Sequence, residues 1–198
     1  NDGLVFRPLD KIPDDFNKMD YIKIEFATKE QVNQKCLLAI ICVPTPMTET
    51  GKEFKKVNLS IIEDVLSWLD TPYILIKSTI PPGTTDYLVK KYNKKIAFSP
   101  EYVGEGKYQI TPWKYMSPND PTTHEFQIFG GEKETCEAIA DIFTRYLGPE
   151  KIYYLIDSKE AEVIKYMENS WGALKVIFAN EFWQLCKALG VSYHRVRE

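Results

Sequence analysis

The sequence has no CxxC pair, no HExxH, no GxSxG, no P-loop and no GxGxxG. Zinc-hydrolase, serine-hydrolase and P-loop nucleotidase readings therefore have nothing to rest on, and direct evidence for a dinucleotide site is missing. The nearest candidate, Gly104 with Gly106, follows an apolar strand but is too acidic and lacks a third glycine. Cysteine is sparse too. Cys36, Cys42, Cys136 and Cys186 lie far apart, which argues against a disulfide framework or a zinc site and fits free thiols in a reducing cytoplasm. The two histidines, His124 and His194, have no partner at metal-ligand or triad spacing, so no metal is expected. No apolar run approaches the roughly 18 residues that span a bilayer. The opening "NDGLVFRPLD" has no signal-peptide core, so a cytoplasmic protein with no membrane partner is expected. Nor is there an excess of positive charge: 25 Lys+Arg stand against 28 Asp+Glu, and nucleic acid is not an expected partner. Internal repeats and low-complexity tracts are absent as well.

What remains is an ordinary globular composition, 44% hydrophobic, arranged in alternating patterns. "LLAIICV" (37–43) is continuously apolar, which suits a strand covered on both faces. "NLSIIEDVLSWLD" (58–70) carries Leu59, Ile62, Val65, Leu66 and Leu69 on one helical stripe, with Ser60 and Glu63 spaced for a capping box. "YILIKST" (73–79) predicts a second strand, Thr85 to Tyr92 a helix, and "KIAFS" (95–99) a third strand. After a long loop from Pro100 to about Glu125 come the strand "FQIFG", an amphipathic helix ending at Gly148, and the strand "KIYYLI". Strands alternating with helices predict an α/β fold, a doubly wound and mostly parallel sheet. From Asp157, which pairs with Glu160 as a cap, no proline interrupts the chain until Gly190. This predicts one long connecting helix, and a division at 156/157 between a sheet domain (1–156) and the start of a second domain (157–198).

In open parallel sheets ligands bind beyond the carboxyl ends of the strands. Three such ends here carry hydroxyls or carboxylates on a proline-stiffened backbone: "PTP" (44–46), "STIPPG" (78–83) and "SPEYVGEG" (99–106). Each could be a simple turn. Glu101 and Glu105 fit either solvated surface charges or a general acid/base pair. On the long helix, Lys165 and Asn169 are one turn apart with Gly172 on nearly the same face, which suits an oxyanion clamp or an ordinary solvated helix face.

Taken in order, "CVPTP", "IKSTIPPGTT", "FSPEYVGEG", "EAEVIKYMENSWGALKVIFANE" and "LGVSYHRVRE" resemble the UDP-glucose/GDP-mannose dehydrogenase family over residues 37 to 198. The resemblance implies a Rossmann-like domain and an NAD-dependent, four-electron oxidation of a nucleotide sugar's C6 alcohol to a carboxylate, with UDP-glucose as the expected substrate. GDP-mannose, a UDP-N-acetylhexosamine, or a non-catalytic module on the same scaffold are the alternatives. It also implies roles for single residues. Thr79 and Glu105 would position water near the nicotinamide, and Lys165 and Asn169 would stabilise the oxyanion. Glu101, Tyr102, Val103 and Lys165 would lie at the substrate. Pro44, Thr45, Ser78, Thr79 and Glu105 would lie at the NAD. A homodimer through the long helix is implied as well. The family's opening strand with its glycine-rich turn and its nucleophilic cysteine have no counterpart in the sequence, and "HEFQIFGG" lacks the arginine usual before that strand. The chain is therefore expected to be an internal piece of such an enzyme, without turnover by itself.

Overall fold

The structure, a computed structural model, describes residues 27–48, 56–102 and 124–198. Five strands form one sheet in the order β1-β2-β3-β4-β5: β1 (Leu38–Ile41), β2 (Tyr73–Ile76), β3 (Ile96–Phe98), β4 (Phe126–Gly131) and β5 (Ile152–Ile156). The β1/β2, β2/β3 and β4/β5 ladders are parallel, as the alternating pattern predicts. β3 and β4 are antiparallel, pairing Ala97 with Gly131 and Phe98 with Gly130. The chain therefore re-enters the sheet at the edge where β3 ends, bringing the start of β4 beside the strand-end segments.

Helices cover both faces. α1 (Lys29–Lys35), α2 (Ser60–Trp68), α3 (Thr84–Tyr92) and the start of α5 (Ser158–Ala188) pack on one face through Val32, Ile62, Leu66, Leu88 and Ala161, against Ile74, Ile76, Ile96, Phe98 and Ile128. α4 (Lys133–Leu147) covers the other, setting Cys136, Ile139 and Ala140 on Leu75, Ala97 and Phe129. The Phe129 ring meets Phe143 edge-on and stacks with Tyr153. Each fully buried large side chain stabilises the fold by roughly 1.5–3 kcal/mol. The expectation that the first strand is covered on both faces fails among the described residues. β1 is an edge strand in the described sheet, and Ile40 remains 39% exposed.

One local expectation is corrected, and two helices join those the sequence announces. Ser60 does not cap α2; it is the first helical residue, and its N–H donates to the Asn58 side chain at 2.9 Å. Glu63 instead accepts from Lys91 at 2.6 Å and from Tyr87. α1 is an element the apolar pattern does not announce. It begins with a capping box of Thr28 and Gln31, and its Asn33 side chain donates to the Trp68 carbonyl at the end of α2. α6 (Tyr193–Arg197) is a further short helix within "LGVSYHRVRE". The long helix forms as expected, with the Asp157/Glu160 capping box at its start and Gly190 at φ 67° just past its end.

Gly130 is where α5 meets the sheet. A Cβ there would lie 2.4 Å from the Ala161 Cβ, 3.0 Å from the Asp157 carbonyl oxygen and 3.2 Å from the Ser158 Cα. The absent side chain lets the first turn of α5 lie directly on β4. No described helix is long and apolar enough to cross a membrane.

Candidate active site

The carboxyl ends of β1 and β2 are fastened together by a serine. The Ser78 hydroxyl accepts from the Val43 N–H at 2.8 Å and donates to the Val43 carbonyl at 2.7 Å. One residue further on, the Thr45 hydroxyl donates to the Thr79 carbonyl at 2.7 Å. Four of the five residues expected at a cofactor, Pro44, Thr45, Ser78 and Thr79, thus share one strand-end ledge. Ser78 is buried and braces the ledge from behind, while Pro44 is exposed on it.

The other face of the same sheet edge is ionic. Lys77 extends from the end of β2 to the Glu101 carboxylate at 3.3 Å and the Ser99 hydroxyl at 3.4 Å. Cys42 lies within the field of both charges, and partial desolvation holds its thiol above the ordinary value. From the opposite side Lys165 of α5 reaches the Glu101 carbonyl at 2.6 Å. Its ammonium also contacts Glu168 at 3.1 Å and stands 5.4 Å above the Tyr102 ring. Burial, with the Glu168 charge adding to it, pushes the Tyr102 phenol up to about 12, so this ring stays neutral beneath the ammonium. An edge-on row of aromatics, Tyr102, Phe126 and Tyr154, continues the wall.

Lys165 is thus not an ordinary solvated lysine, because its side chain is only 14% exposed and carries its charge beside a backbone carbonyl. An ammonium held this way can stabilise negative charge developing on a substrate oxygen. Asn169 is exposed one turn further along α5. Glu105 and Val103 lie outside the described residues. Among those described, the structure brings Thr79's ledge and the Glu101/Tyr102/Lys165 group to one sheet edge.

Sequence reasoning misses Lys77, Glu168 and Glu162. The available signal for Lys77 is a single charge ending an otherwise apolar strand, "YILIK". Glu162 looks like any charge on a charged helix, yet it is fully buried. Its carboxylate accepts from the Gly83 N–H at 2.5 Å, the Thr85 N–H at 2.8 Å and the Thr85 hydroxyl at 2.7 Å. It therefore fills the N-terminus of α3, where a phosphate would otherwise be welcome. In return, Asp86 of α3 accepts from the Ser158 hydroxyl at 2.5 Å and Lys159 at 3.0 Å, at the N-terminus of α5.

The two carboxyls respond oppositely to acid. Burial raises Glu162 above its ordinary 4.5, opposed by its bonds to Thr85 and Gly83. The Ser158 hydroxyl and Lys159 hold Asp86 below its ordinary 3.8. A raised folded value gives stability that is complete below 4.5 and lost as pH rises through the folded value. A lowered one gives stability present above 3.8 and lost as pH falls through it. Thermal melts across the acid range should therefore separate them. Asp86→Asn should flatten the decline below pH 3.8, and Glu162→Gln the decline as pH rises from 4.5.

Residues 13–143 match the NAD binding domain, and residues 159–198 the central domain, of the UDP-glucose/GDP-mannose dehydrogenase family. The chain is 36% identical over 161 residues to a UDP-N-acetyl-D-mannosamine dehydrogenase of Methanococcus maripaludis, covering 77% of this chain and 35% of that one. It is 29% identical over 147 residues to a UDP-glucose 6-dehydrogenase of Campylobacter jejuni, covering 72% and 35%. A solved UDP-D-ManNAc dehydrogenase from Pyrococcus horikoshii superposes with a TM-score of 0.65 at 25% identity, over 85% of this chain and 40% of that one. The chain thus spans about a third of the length of the curated relatives it matches. Its strand-end ledge falls within the matched NAD binding domain and its half-buried Lys165 within the matched central domain, and the chain belongs to the UDP-glucose/GDP-mannose dehydrogenase family.

Proposed function

We propose that this chain supplies the later part of the NAD-binding domain, residues 1–156, and the start of the central domain, residues 157–198, of an NAD-dependent nucleotide-sugar 6-dehydrogenase. The observation that carries this reading is Lys165, shielded from solvent and bonded to the Glu101 carbonyl at the sheet edge where ligands of such folds sit. The residues present fit part of a dinucleotide. The Thr45/Thr79 ledge offers polar groups at two adjoining strand ends, whereas the α3 N-terminus holds Glu162 and leaves no place for a pyrophosphate there. Bound there, NAD+ would supply the hydride acceptor for oxidation at the sugar's C6 carbon. In this chain Lys165 and Asn169 stabilise the oxygen left behind, Thr79 and Glu105 position water, and Glu101, Tyr102 and Val103 line the sugar side.

Among nucleotide sugars, a UDP-N-acetylhexosamine is favoured over the UDP-glucose expected from the motifs, because the match to a UDP-N-acetyl-D-mannosamine dehydrogenase, at 36%, exceeds that to a UDP-glucose 6-dehydrogenase, at 29%. NADH formation with each nucleotide sugar tests the preference. Faster turnover of UDP-glucose than of UDP-N-acetylmannosamine would reverse it.

A homodimer through α5 is part of the same reading. Past its first two turns the helix exposes Met167, Trp171, Leu174, Phe178, Leu185 and Leu189, a stripe of the spacing that packs helices together. Sedimentation should give twice the chain mass, and Trp171→Glu should shift it toward the monomer. A strictly monomeric wild-type protein would count against the dimer.

A further inference from the structure

We propose that Glu162 is a positioning residue that fixes the loop carrying Thr79 against the helix carrying Lys165. This rests on the dehydrogenase reading above for its functional meaning.

The N-terminus of α3 has no local cap. Gly83, at the N-cap, has no side chain to bond the first amides, where serine, threonine or aspartate would ordinarily serve. That task falls to a carboxylate 79 residues away in sequence. Burying a carboxylate is costly, and a local cap would satisfy the same amides without it. The remote arrangement achieves what a local cap cannot, which is to tie two distant segments in one register. Glu162 precedes Lys165 by three positions, one turn of α5, so both lie on the same side of the helix. Gly83 follows Thr79 across Ile80, Pro81 and Pro82, a short stretch held by two prolines and the buried Ile80. The carboxylate is thus one helical turn from one site residue and four stiff residues from the other. Asp86, with Ser158 and Lys159, repeats the tie in the opposite direction, and Tyr166 is the other titratable group that senses the Glu162 charge.

The test uses the chain itself. Threonine-methyl and tyrosine-ring NMR signals of Thr79 and Tyr102, identified with Thr79→Ser and Tyr102→Phe, report the two sides of the site. In Glu162→Gln both signals should move, and the Gly83 and Thr85 amides should exchange on the order of tenfold faster or more, because the amide NH2 faces donors it cannot bond. Ile139→Val, beneath α4 on the far face, should leave both signals in place at a comparable loss of melting temperature. Glu162→Asp should return the signals part of the way. If Glu162→Gln does not fold, Thr85→Val, which deletes one of the three bonds, should give smaller shifts in the same direction. Unmoved signals in a folded Glu162→Gln or Thr85→Val chain would reduce Glu162 to a stabilising residue and overturn the proposal. Neither signal depends on cofactor or substrate. Failure of the protein expressed from its complete reading frame to oxidise any nucleotide sugar would therefore sink the functional reading without touching the clamp, and the converse holds too.

Discussion

Gly130→Ala lowers the stability of the chain by about 3 kcal/mol, at the upper end of the usual cost of overpacking. The added methyl falls 2.4 Å from the Ala161 Cβ and within 3.2 Å of two backbone atoms of α5, none of which can swing away as a long side chain would. The first turn of the helix must retreat from β4, taking Glu162 and Lys165 with it. In a melt the change should read as a drop of roughly 6–12 °C for a chain of this size. Adding Ala161→Gly should recover part of the loss, since it removes the nearest of the three contacts while leaving the carbonyl of Asp157 at 3.0 Å. Full recovery is not expected, because glycine inside a helix itself costs about 1 kcal/mol. A Gly130→Ala chain as stable as wild type would mean that α5 does not seat on β4 as described.

The second large effect is on catalysis. Under the proposed function, Lys165→Ala in the protein expressed from its complete reading frame should lower kcat by about 10²- to 10³-fold, the usual consequence of removing one preorganised group that stabilises an oxyanion. KM should change much less, since the ammonium already has Glu101 and Glu168 as partners and matters most once charge develops on the substrate. Far-UV circular dichroism should show the helix intact. A variant that keeps wild-type kcat would remove Lys165 from the chemistry.

How far the sequence reveals this arrangement depends on how local each cause is. The long helix is legible because its start is a cap pair four residues wide and nothing interrupts its backbone until Gly190. α1 is not, since only Val32 of its seven residues is buried, and an apolar stripe cannot be read from one position. Its signal is the Thr28/Gln31 cap instead. Ser60 and Glu63 show the limit of that same signal: the spacing is right, but Asn58 is placed to bond first and Lys91 draws Glu63 away. The reversed pairing of β3 with β4 depends on the edge at which the chain re-enters, which no strand pattern encodes.

The site divides in the same way. Strand ends rich in hydroxyls and carboxylates mark Thr45, Ser78, Thr79 and Glu101 in advance, because loops beyond parallel strands are where such groups gather. Lys77 and Glu162 become visible only once the chain has folded, since each acts on a partner brought close by the sheet: Glu101, 24 residues on, for one, and the α3 N-terminus for the other. A charge whose only distinction is its burial looks, in one dimension, like every other charge.

The central claim is that these residues belong to an enzyme that oxidises nucleotide sugars with NAD+. The most direct test expresses the protein from its complete reading frame and follows NADH absorbance with UDP-N-acetylmannosamine, UDP-glucose and GDP-mannose. The account predicts NADH at twice the molar amount of sugar consumed, with a uronate product. A folded protein that binds NAD+ yet forms no NADH from any of the three would contradict it.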